Sequence, residues 1–400
     1  MKIKKNSSGL GKKITVGINA SFLRKPNNGI GQVTFNFLRK LSELRTDDLE
    51  FILYLEEELP KKLSLPKNFQ TKVFLPLWKR DDLIRKIWWE KYLLPNHARR
   101  DKCDVFISMY QCPTVIAEET RHLMIVHDII PRIFPEYLDN LRKKRYQKLT
   151  EKAIKKAGKV IAISKRTEKD LIEHLGITGD KITLNYIDVD SIYKKRPVKD
   201  KIAKVLKKYK LKPGYILAGG GMEVRKNVEG VIRAYKLLLE KNKNHVYVDE
   251  MPILVIYGKL LPGLSLALDA QNLVRELNLT KNVRFLGLTR QEDMPAVFSQ
   301  SSMFVYPSHY EGFGLPPLEA MNQGIPTIIS KKSSLPEVGG DGVLYCNCDD
   351  ARDIAMVMRN ILVNKELRTA LSIRAKMQAK KFLWDKFTKK ILNIILELGR

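Results

Sequence analysis

The thirteen residues PSHYEGFGLPPLE (307–319) decide how the C-terminal half of this sequence folds. The apolar run MFVY directly before them predicts a buried strand, and Pro316-Pro317 predicts a helix start, because proline is tolerated in the first turn. Gly312 and Gly314 let the backbone approach a ligand closely. A strand, a glycine loop and a helix N-terminus in this order outline a cradle for an anion or a sugar phosphate. An ordinary strand–turn–helix, with its Glu placed by the helix dipole, is an equally good interpretation of these residues alone.

Short apolar runs rich in Val and Ile recur on both sides of this stretch, as expected of strands buried on both faces. Amphipathic patterns lie between them, such as 31–45, where Val33, Phe37 and Leu41 share a helical face. This alternation predicts parallel sheets with crossover helices. The eleven predicted strands are 14–20, 51–55, 104–108, 123–127, 160–163, 182–187, 215–218, 253–257, 283–287, 303–307 and 326–330, and the other predicted helices are 228–241, 266–277, 350–363 and 365–382.

A polar, Lys-rich segment, YKKRPVKDKIAKVLKKYKLKPG (193–214), separates these strands into two groups. A chain of 400 residues is long enough for two domains of roughly 100–200 residues each. We therefore predict an α/β protein with two Rossmann-like domains, 1–195 and 196–382. In such folds ligands bind at the carboxyl ends of the strands, which predicts a cleft there.

The composition narrows the classes of partner. Lys and Arg number 72 against 44 Asp and Glu, so the net charge is +28, which favours a nucleotide, a nucleic acid or an acidic membrane surface. A hydrophobic content of 44% excludes wholesale disorder. Four cysteines form neither a disulfide framework nor a zinc pattern, no apolar run approaches the ~18–20 residues of a membrane span, and the basic N-terminus lacks a signal-peptide core. We expect a cytoplasmic protein with reduced thiols.

A resemblance to a known family adds to this interpretation. The runs EGFGLPPLEAMNQGIPTIIS (311–330) and SSLPEVGGDGVLY (333–345) resemble the signature of glycosyltransferase family 4. Four further segments resemble its N-terminal glycine loop, His-Asp segment, serine-containing turn and diphosphate loop, in the order NNGIGQVTFNFLRKL (27–41), VHDIIPRIFPEYL (126–138), AISKRTEKDL (162–171) and GGGMEVRKN (219–227). The resemblance implies a retaining, nucleotide-sugar-dependent enzyme of the GT-B fold. It also implies that the last helix, within 383–400, returns to the N-terminal domain.

The resemblance assigns donor-binding roles to the 307–319 stretch. Glu319 would hold the ribose hydroxyls of the donor. Glu311 would contact the transferred sugar, as one of the catalytic residues. Phe313, Gly314 and Leu315 would lie against the sugar and the phosphate of the nucleotide sugar.

Matching positions elsewhere complete this set. Lys226, with Arg225, would neutralise the diphosphate, Gly31 would let the N-terminal loop close on the phosphate, and His127 would lie under the donor sugar. His127 and Lys226 are thus the other predicted catalytic residues. The sequence departs from the family at Gly221, where an arginine is common, and Arg225 is the candidate substitute.

No cofactor or metal is expected from this pattern. The leaving nucleoside diphosphate gains negative charge as the glycosidic bond breaks, and fixed cations and helix amides stabilise that charge. In the resembled family, attack takes place on the face that the leaving group departs from, and the phosphate accepts the acceptor's proton. Asp188-Val189-Asp190 matches a metal-binding motif of an unrelated glycosyltransferase fold, but its position favours a structural turn.

Two basic segments suggest a membrane contact. In 79–100, basic residues alternate with Trp88, Trp89 and Tyr92. Residues 142–166 contain eleven Lys or Arg and one acidic residue, Glu151. A basic, aromatic, amphipathic helix is typical of proteins that lie on a bilayer. We predict peripheral contact with an anionic membrane. The alternative is that the aromatic face packs inside the N-terminal domain. No nucleic-acid-binding module is present, so nucleic acid is not an expected partner.

The leading hypothesis is therefore a membrane-associated retaining hexosyltransferase that builds a polysaccharide, lipopolysaccharide or glycolipid. The acceptor would be a glycan or a lipid-linked saccharide. The best single prediction for the donor is GDP-mannose, because the HDIIP and EGFGLPPLEAM segments resemble those of mannosyl- and rhamnosyltransferases. An inactive GT-B-fold scaffold protein of a glycan-assembly complex is the main alternative, and a basic nucleic-acid-binding protein is the third.

Overall fold

The computed structural model describes residues 13–26, 28–74, 83–244, 250–260 and 266–399. The chain forms two compact units. The first contains the residues up to Ile163, the segment Asp170–Asn185 and the residues from Trp384 onward. The second contains Ser164–Lys169 and Tyr186–Leu383. The chain thus enters the second unit before the predicted boundary at 195/196, and a short piece of that unit interrupts the first.

The first unit is built on a parallel sheet of seven described strands in the order β3-β2-β1-β4-β5-β6-β7. Its central strands are buried on both faces, which explains their continuous apolar sequences. The strands are β1 (Ile14–Asn19), β2 (Leu49–Leu55), β3 (Phe69–Val73), β4 (Val105–Ser108), β5 (Arg121–Val126), β6 (Lys159–Ala162) and β7 (Ile182–Leu184).

Helices connect these strands as crossovers. They are α1 (Gly29–Leu41), α2 (Leu83–Trp88), which continues through a π-helical turn (Trp89–Leu93) into α3 (Leu94–Arg100), α4 (Ile130–Ile133), α5 (Leu141–Lys156) and α6 (Lys165–Leu175), the last of which is shared between the two units. Helix α1 begins at Gly29 because the Asn28 side chain accepts a hydrogen bond from Gly31 N and so caps its N-terminus.

The second unit contains a parallel sheet of six described strands in the order β10-β9-β8-β11-β12-β13. The strands are β8 (Ile216–Gly219), β9 (Leu254–Tyr257), β10 (Val283–Gly287), β11 (Met303–Tyr306), β12 (Thr327–Ser330) and β13 (Leu344–Cys346). The helices are α7 (Lys199–Tyr209), α8 (Val228–Asn244), α9 (Ala270–Glu276), α10 (Met294–Ser299), α11 (Leu315–Asn322), α12 (Leu335–Gly339), α13 (Ala351–Val363) and α14 (Lys365–Ala379). Helices α8 and α13 pack against the strands in one apolar core.

The last helix, α15 (Trp384–Leu398), belongs to the first unit, as predicted. Its apolar stripe includes the buried residues Phe387 and Ile391. The Phe387 ring meets Phe37 of α1 edge to face, with ring centroids 6.0 Å apart. The side-chain amide of Asn185, just after β7, donates to the Phe387 carbonyl oxygen at 3.0 Å. The end of the chain is therefore part of the N-terminal core.

The structure differs from the sequence predictions in three further ways. The polar segment 193–214 contains the regular helix α7, which has one apolar face. Strands β3 and β13 were not predicted. Trp89 is buried at 1% exposure in the core beside Ile52 and Leu94, so its predicted membrane contact is wrong. The part of the basic segment before residue 83 lies outside the described residues.

None of the helices in the described ranges is long and apolar enough to cross a membrane.

Candidate active site

The order in which successive strands join the second sheet reverses between β8 and β11. Strands β9 and β10 follow on one side, and β12 and β13 on the other. The loops after β8 and β11 therefore leave the sheet side by side at its carboxyl edge, which is where ligands bind in doubly wound sheets. These loops are 219–227 and 307–314, the two segments that the sequence singled out.

The loop after β8 begins with three glycines whose backbone geometry excludes other residues. Gly219, Gly220 and Gly221 have φ of 132°, 96° and 132°. A Cβ at Gly219 would lie 2.0 Å from the Tyr257 carbonyl oxygen, and one at Gly258 would lie 2.7 Å from Gly221 N. The glycines let two neighbouring strand ends touch backbone to backbone. They leave this edge lined by main chain.

Arg225 and Lys226 meet Glu311 across the two loops. Arg225 Nη1 lies 3.0 Å from Glu311 Oε2 and donates to the Tyr310 carbonyl oxygen at 2.8 Å, and Arg225 Nε lies 2.7 Å from Glu223. Lys226 Nζ lies 3.8 Å from Glu311 Oε1 and donates to the Tyr306 hydroxyl at 3.2 Å. Gly221 is next to this lysine, since a Cβ there would contact its side chain at 3.3 Å. Two cations and one carboxylate are thus held in a single cluster.

Glu311 is kept ionised by its neighbours. Burial alone would raise the pKa of its carboxyl, but Lys226 and Arg225 outweigh burial and lower the pKa. The buried Tyr306 hydroxyl donates to Glu311 Oε1 at 2.6 Å, and Ser308 Oγ donates to the same oxygen at 3.1 Å. The carboxylate is therefore a fixed anion and a hydrogen-bond acceptor.

The carbonyl oxygens of the EGF segment are held by serine side chains. Ser334 Oγ lies 2.8 Å from the Glu311 carbonyl oxygen and 2.6 Å from the Phe313 carbonyl oxygen, so these two acceptors share its one proton. Ser164 Oγ, in the segment that resembles the family's serine-containing turn, donates to the Gly312 carbonyl at 2.7 Å. Since these carbonyls face the protein, the loop's conformation is fixed without any ligand.

Helix α11 starts directly after this segment. Gly314 has φ of 121°, and a Cβ there would lie 2.9 Å from Leu335 Cδ2, so glycine is required at this turn. No side chain of the described residues caps the helix at Gly314, and Leu315 is its first residue. The first N–H groups of a helix have no partner within it and carry partial positive charge. This end of α11 therefore offers backbone donors to an anion.

Glu319, one turn further along α11, is a buried carboxyl of a different kind. Burial raises its pKa to about 8, although hydrogen bonds from Tyr193 and Gln291 oppose that rise. Gln291 Nε2 donates to the Tyr193 hydroxyl at 2.9 Å, so the two side chains that support Glu319 also support each other. The site thus contains one ionised carboxylate, Glu311, and one carboxyl that retains its proton near neutral pH.

The two remaining predicted residues belong to the first unit. Gly31 packs against a backbone turn, since a Cβ would lie 2.1 Å from the Lys25 carbonyl oxygen, and its N–H already donates to Asn28. The structure therefore gives Gly31 a packing role, and its nucleotide contact remains a prediction.

His127 follows β5 and is buried. Burial lowers the pKa of its imidazole to about 4, against the opposing bond to Met109, so the ring is neutral near pH 7. Its Nε2 lies 2.9 Å from the Met109 carbonyl oxygen, and a carbonyl only accepts, so Nε2 carries the proton. Asp128 Oδ1 accepts a hydrogen bond from Ile130 N at 3.0 Å and so caps the loop after β5. The contact of His127 with a donor sugar remains a prediction.

The second unit thus brings together the predicted residues Arg225, Lys226, Glu311 and Glu319, with Phe313, Gly314 and Leu315 beside them. Sequence analysis missed the side chains that hold them, namely Tyr193, Tyr306, Gln291, Ser164 and Ser334. Ser164 and Ser334 lie in segments whose family resemblance was noted, and that was the only available signal for them. The motif Asp188-Val189-Asp190 is a structural turn, as predicted, because Asp188 pairs with Lys194 at 2.7 Å and Asp190 caps a 3₁₀ turn.

The chemistry of this edge suits an anionic, hydroxyl-rich ligand. Two cations and a helix N-terminus attract phosphate oxygens. Two carboxyl groups accept hydrogen bonds from sugar hydroxyls, and the main chain at the glycine loop leaves room for close approach. A nucleotide sugar combines these groups in one molecule.

Comparisons with known proteins match both halves of the chain. The sequence profile described as Glycosyltransferase Family 4 matches residues 27–190, and the profile described as Glycosyl transferases group 1 matches residues 198–378. O-antigen chain mannosyltransferase B from Escherichia coli is 32% identical over 276 residues, covering 68% of this chain and 69% of that protein. O-antigen chain mannosyltransferase RfbU from Salmonella typhimurium is 26% identical, covering 86% and 90%.

A solved structure supports the fold. The crystal structure of WaaG, a glycosyltransferase involved in lipopolysaccharide biosynthesis, matches with a TM-score of 0.71 over 96% of this chain and 99% of that one, at 16% identity. At that identity the likeness concerns the fold alone. The predicted GT-B architecture of two Rossmann-like domains is confirmed.

Proposed function

The chain belongs to glycosyltransferase family 4, and from that membership we propose that it transfers mannose from GDP-mannose to a glycan or a lipid-linked saccharide. It is a hexosyltransferase of polysaccharide or lipopolysaccharide synthesis. The choice of mannose is supported by the names of the relatives, which are O-antigen mannosyltransferases.

One structural observation carries the proposal. Arg225, Lys226 and Glu311 form a closed ion cluster beside the N-terminus of α11, one helical turn from Glu319. An inactive scaffold protein would not need two buried carboxyl groups and two partly buried cations at one sheet edge, because removing charged groups from water costs free energy that only partly returns through pairing. The cluster therefore favours the enzyme over the scaffold hypothesis.

Each residue has a proposed task in the reaction. Lys226 and Arg225 bind the donor's diphosphate and stabilise the charge it gains as the glycosidic bond breaks. The amides at Phe313, Gly314 and Leu315 add donors to the sugar phosphate. Glu311, held ionised, accepts hydrogen bonds from the transferred sugar's hydroxyls.

Glu319 accepts hydrogen bonds from the donor's ribose hydroxyls, in this proposal. We also propose that the neutral ring of His127 contacts the donor sugar and that Gly31 contacts the donor's phosphate. The reaction retains the anomeric configuration, with the leaving phosphate accepting the acceptor's proton. Because two fixed cations supply the charge stabilisation, we further propose that no divalent metal is required.

A transfer assay tests this function. Purified protein is incubated with GDP-mannose, UDP-glucose or UDP-galactose and a lipid-linked saccharide acceptor, with and without EDTA, and the released nucleoside diphosphate is measured. We expect release to be fastest with GDP-mannose and to be unchanged by EDTA. Lys226→Met should lower turnover by about 100-fold or more, since it removes one charge-stabilising donor. Lys236→Met, which removes a partly buried lysine paired with Glu240, is the matched control and should leave turnover unchanged.

The outcomes separate the hypotheses. Release from UDP-glucose but not from GDP-mannose would replace the donor while keeping the enzyme. No release from any donor, and no binding of any nucleoside diphosphate, would favour the scaffold protein. Loss of activity with EDTA that added Mg²⁺ restores would contradict the metal-independent mechanism.

For the acceptor, we propose that the first unit meets an anionic membrane at its cytoplasmic face. Helix α5 presents a groove of about 550 Å³ whose walls combine apolar and cationic side chains, among them Leu138, Leu141, Lys144 and Lys148. Leu141 is 82% exposed, which is unusual for leucine. An apolar surface ringed by lysines fits the phosphate and acyl region of a charged lipid.

A further inference from the structure

Tyr257 is the last residue of β9 and lies at the same sheet edge as the glycine loop. Its ring packs against Phe298, with centroids 6.0 Å apart, and against Phe304, at 6.4 Å. Only 9% of the residue is exposed. The ring is therefore fixed by the core, and its hydroxyl has a fixed position.

That hydroxyl has no hydrogen-bond partner within the described part of the chain. Five other buried tyrosines each donate a hydrogen bond from the hydroxyl to a carboxylate or a carbonyl oxygen. They are Tyr54, Tyr110, Tyr215, Tyr235 and Tyr306. A buried, unpaired hydroxyl destabilises the folded protein, because it loses its bonds to water and gains none. Tyr257 is thus an exception that needs an explanation.

The hydroxyl lies among the donor-binding groups. A Cβ built on Gly220 would lie 3.6 Å from it, 3.2 Å from the Tyr306 ring and 3.5 Å from Pro316 at the start of α11. The position is therefore between the glycine loop and the helix N-terminus. Both Glu319 and Glu311 act electrostatically on the hydroxyl, so it lies near both carboxyl groups.

The hydroxyl keeps its proton in this position and can therefore donate a hydrogen bond. Burial, with Glu319 and Glu311, raises the pKa of Tyr257 well above its ordinary value, so the proton stays on the oxygen. An acceptor atom of a bound ligand would supply the missing partner. Beside a loop of glycines and the Arg225–Lys226 pair, the acceptors expected are phosphate oxygens.

We propose that Tyr257 is a further donor-binding residue, whose hydroxyl donates a hydrogen bond to a diphosphate oxygen of the bound nucleoside diphosphate. This inference rests on the proposed function, since it presumes that a nucleotide binds this edge. It gives the unpaired hydroxyl its partner in the bound state. It also makes Tyr257 a residue that lowers the stability of the free protein and raises its affinity for the nucleotide.

The test is Tyr257→Phe, which removes only the hydroxyl. Nucleotide affinity is measured by titration calorimetry with GDP, UDP, ADP and dTDP, and the melting temperature is measured without nucleotide. We expect Tyr257→Phe to bind the nucleotide preferred by the wild type about tenfold more weakly. Without nucleotide, the variant should melt at the same temperature as the wild type or higher.

Tyr215→Phe is the matched control. Tyr215 lies just before β8, at the opposite end of the strand, and its hydroxyl donates to the Val297 carbonyl oxygen at 2.5 Å. Removing that hydroxyl leaves a buried carbonyl unpaired, so this variant should melt lower and bind the nucleotide as the wild type does. The two tyrosines are expected to give opposite results.

Unchanged nucleotide affinity in Tyr257→Phe would overturn the inference. A lower melting temperature without nucleotide would also overturn it, because the hydroxyl would then have a partner within the protein. If the wild type binds none of the four nucleotides, the proposed function itself fails, which is a result of a different kind.

Discussion

At the scale of single residues, Glu319 couples the function of the site to the stability of the fold. Its pKa is raised to about 8 in the folded protein, against an ordinary value of 4.5. The folded state therefore binds a proton that the unfolded state loses. The resulting stabilisation is complete below about pH 4.5 and disappears as the pH rises through about 8.

Replacing Glu319 by Gln removes this dependence. We expect the free energy of unfolding of Glu319→Gln, relative to the wild type, to rise by roughly 1–3 kcal/mol between about pH 5 and about pH 8.5. Urea denaturation at both pH values measures it. Glu276→Gln, on the exposed side of α9, is the control and should show no such trend.

The same variant also tests the donor site, because the amide nitrogen of Gln cannot accept a hydrogen bond from a ribose hydroxyl, as a carboxyl oxygen can. Glu319→Gln and Glu319→Ala should both lose measurable nucleotide binding while remaining folded. A variant that binds GDP as the wild type does would contradict the ribose assignment. Greater stability together with lost binding would mean that the wild-type residue is retained for the ligand.

The charged residues of this site could be predicted from the sequence, but the hydroxyl groups beside them could not. Glu311, Glu319 and Lys226 could be found because charged residues at family positions are visible in the sequence. Tyr306 and Tyr257 could not, since the sequence MFVYP or LVIYG shows only that an aromatic residue ends a buried strand. What those hydroxyls contact depends on which strands become neighbours, and that is a property of the folded sheet.

At the scale of elements, the EGF segment is held by hydroxyls from two different places in the sequence. Ser334 is fully buried and supports the carbonyls of both Glu311 and Phe313. We expect Ser334→Ala to destabilise the protein by about 1–3 kcal/mol, because the buried Phe313 carbonyl loses its bond from Ser334, whereas the Glu311 carbonyl keeps one from Ser333 Oγ. It should also raise the KM for the donor severalfold, since the loop amides lose their alignment.

Ser299→Ala is the matched comparison for this loop. Ser299 is also buried, and its hydroxyl donates to the Ala296 carbonyl at 3.0 Å within α10. Its loss should reduce stability without changing KM. Equal KM values in both serine variants would show that the loop keeps its shape without Ser334.

Helix α15 is a second element whose contribution can be measured. Phe387 is fully buried between α15 and α1, so Phe387→Ala should lower the free energy of unfolding by about 3–5 kcal/mol through lost burial and a cavity. Lys386→Ala, at the neighbouring exposed position, should change it by less than about 0.5 kcal/mol. A small effect of Phe387→Ala in urea denaturation would mean that the helix is not part of the N-terminal core.

The elements that sequence analysis missed have physical reasons. Strand β3, with the sequence FQTKV, is an edge strand and is largely exposed, so it lacks the apolar run that identifies its neighbours. Helix α7 was not predicted within the polar segment 193–214 because lysines dominate its composition, although Ile202 and Val205 give the helix one apolar face. The buried central strands were found because two-sided burial requires continuous Val and Ile.

At the scale of the whole molecule, the net charge of +28 makes binding to anionic membranes a testable expectation. We expect the protein to sediment with vesicles that contain anionic lipid and not with neutral vesicles. Added salt should weaken the binding, because screening acts over ~8 Å at physiological ionic strength. Equal binding to both vesicle types, or to neither, would contradict the membrane proposal.

The buried position of Trp89 sharpens this test. Trp88 and Tyr92 are 45% and 41% exposed, and their rings are tilted against each other with centroids 5.1 Å apart. They are the exposed aromatic pair of this segment. Trp88→Ala should reduce the part of the binding that survives salt. Leu141→Asp, in the groove beside α5, should do the same without unfolding the protein. If salt weakens vesicle binding equally in the wild type and in both variants, charge alone attracts the lipid.

The path of the chain between the two units limits how this enzyme can be re-engineered. Ser164–Lys169 belongs to the second unit although it lies within the sequence of the first, and the residues from Trp384 onward return to the first. A donor-specificity graft that exchanged only one continuous stretch would separate Ser164 from the Gly312 carbonyl that it supports. A working hybrid enzyme would therefore need both segments of the second unit from one parent and the final helix from the other. Chimeric proteins joined at 163/164, 169/170, 185/186 and 383/384 would keep all residues of each unit from the same parent.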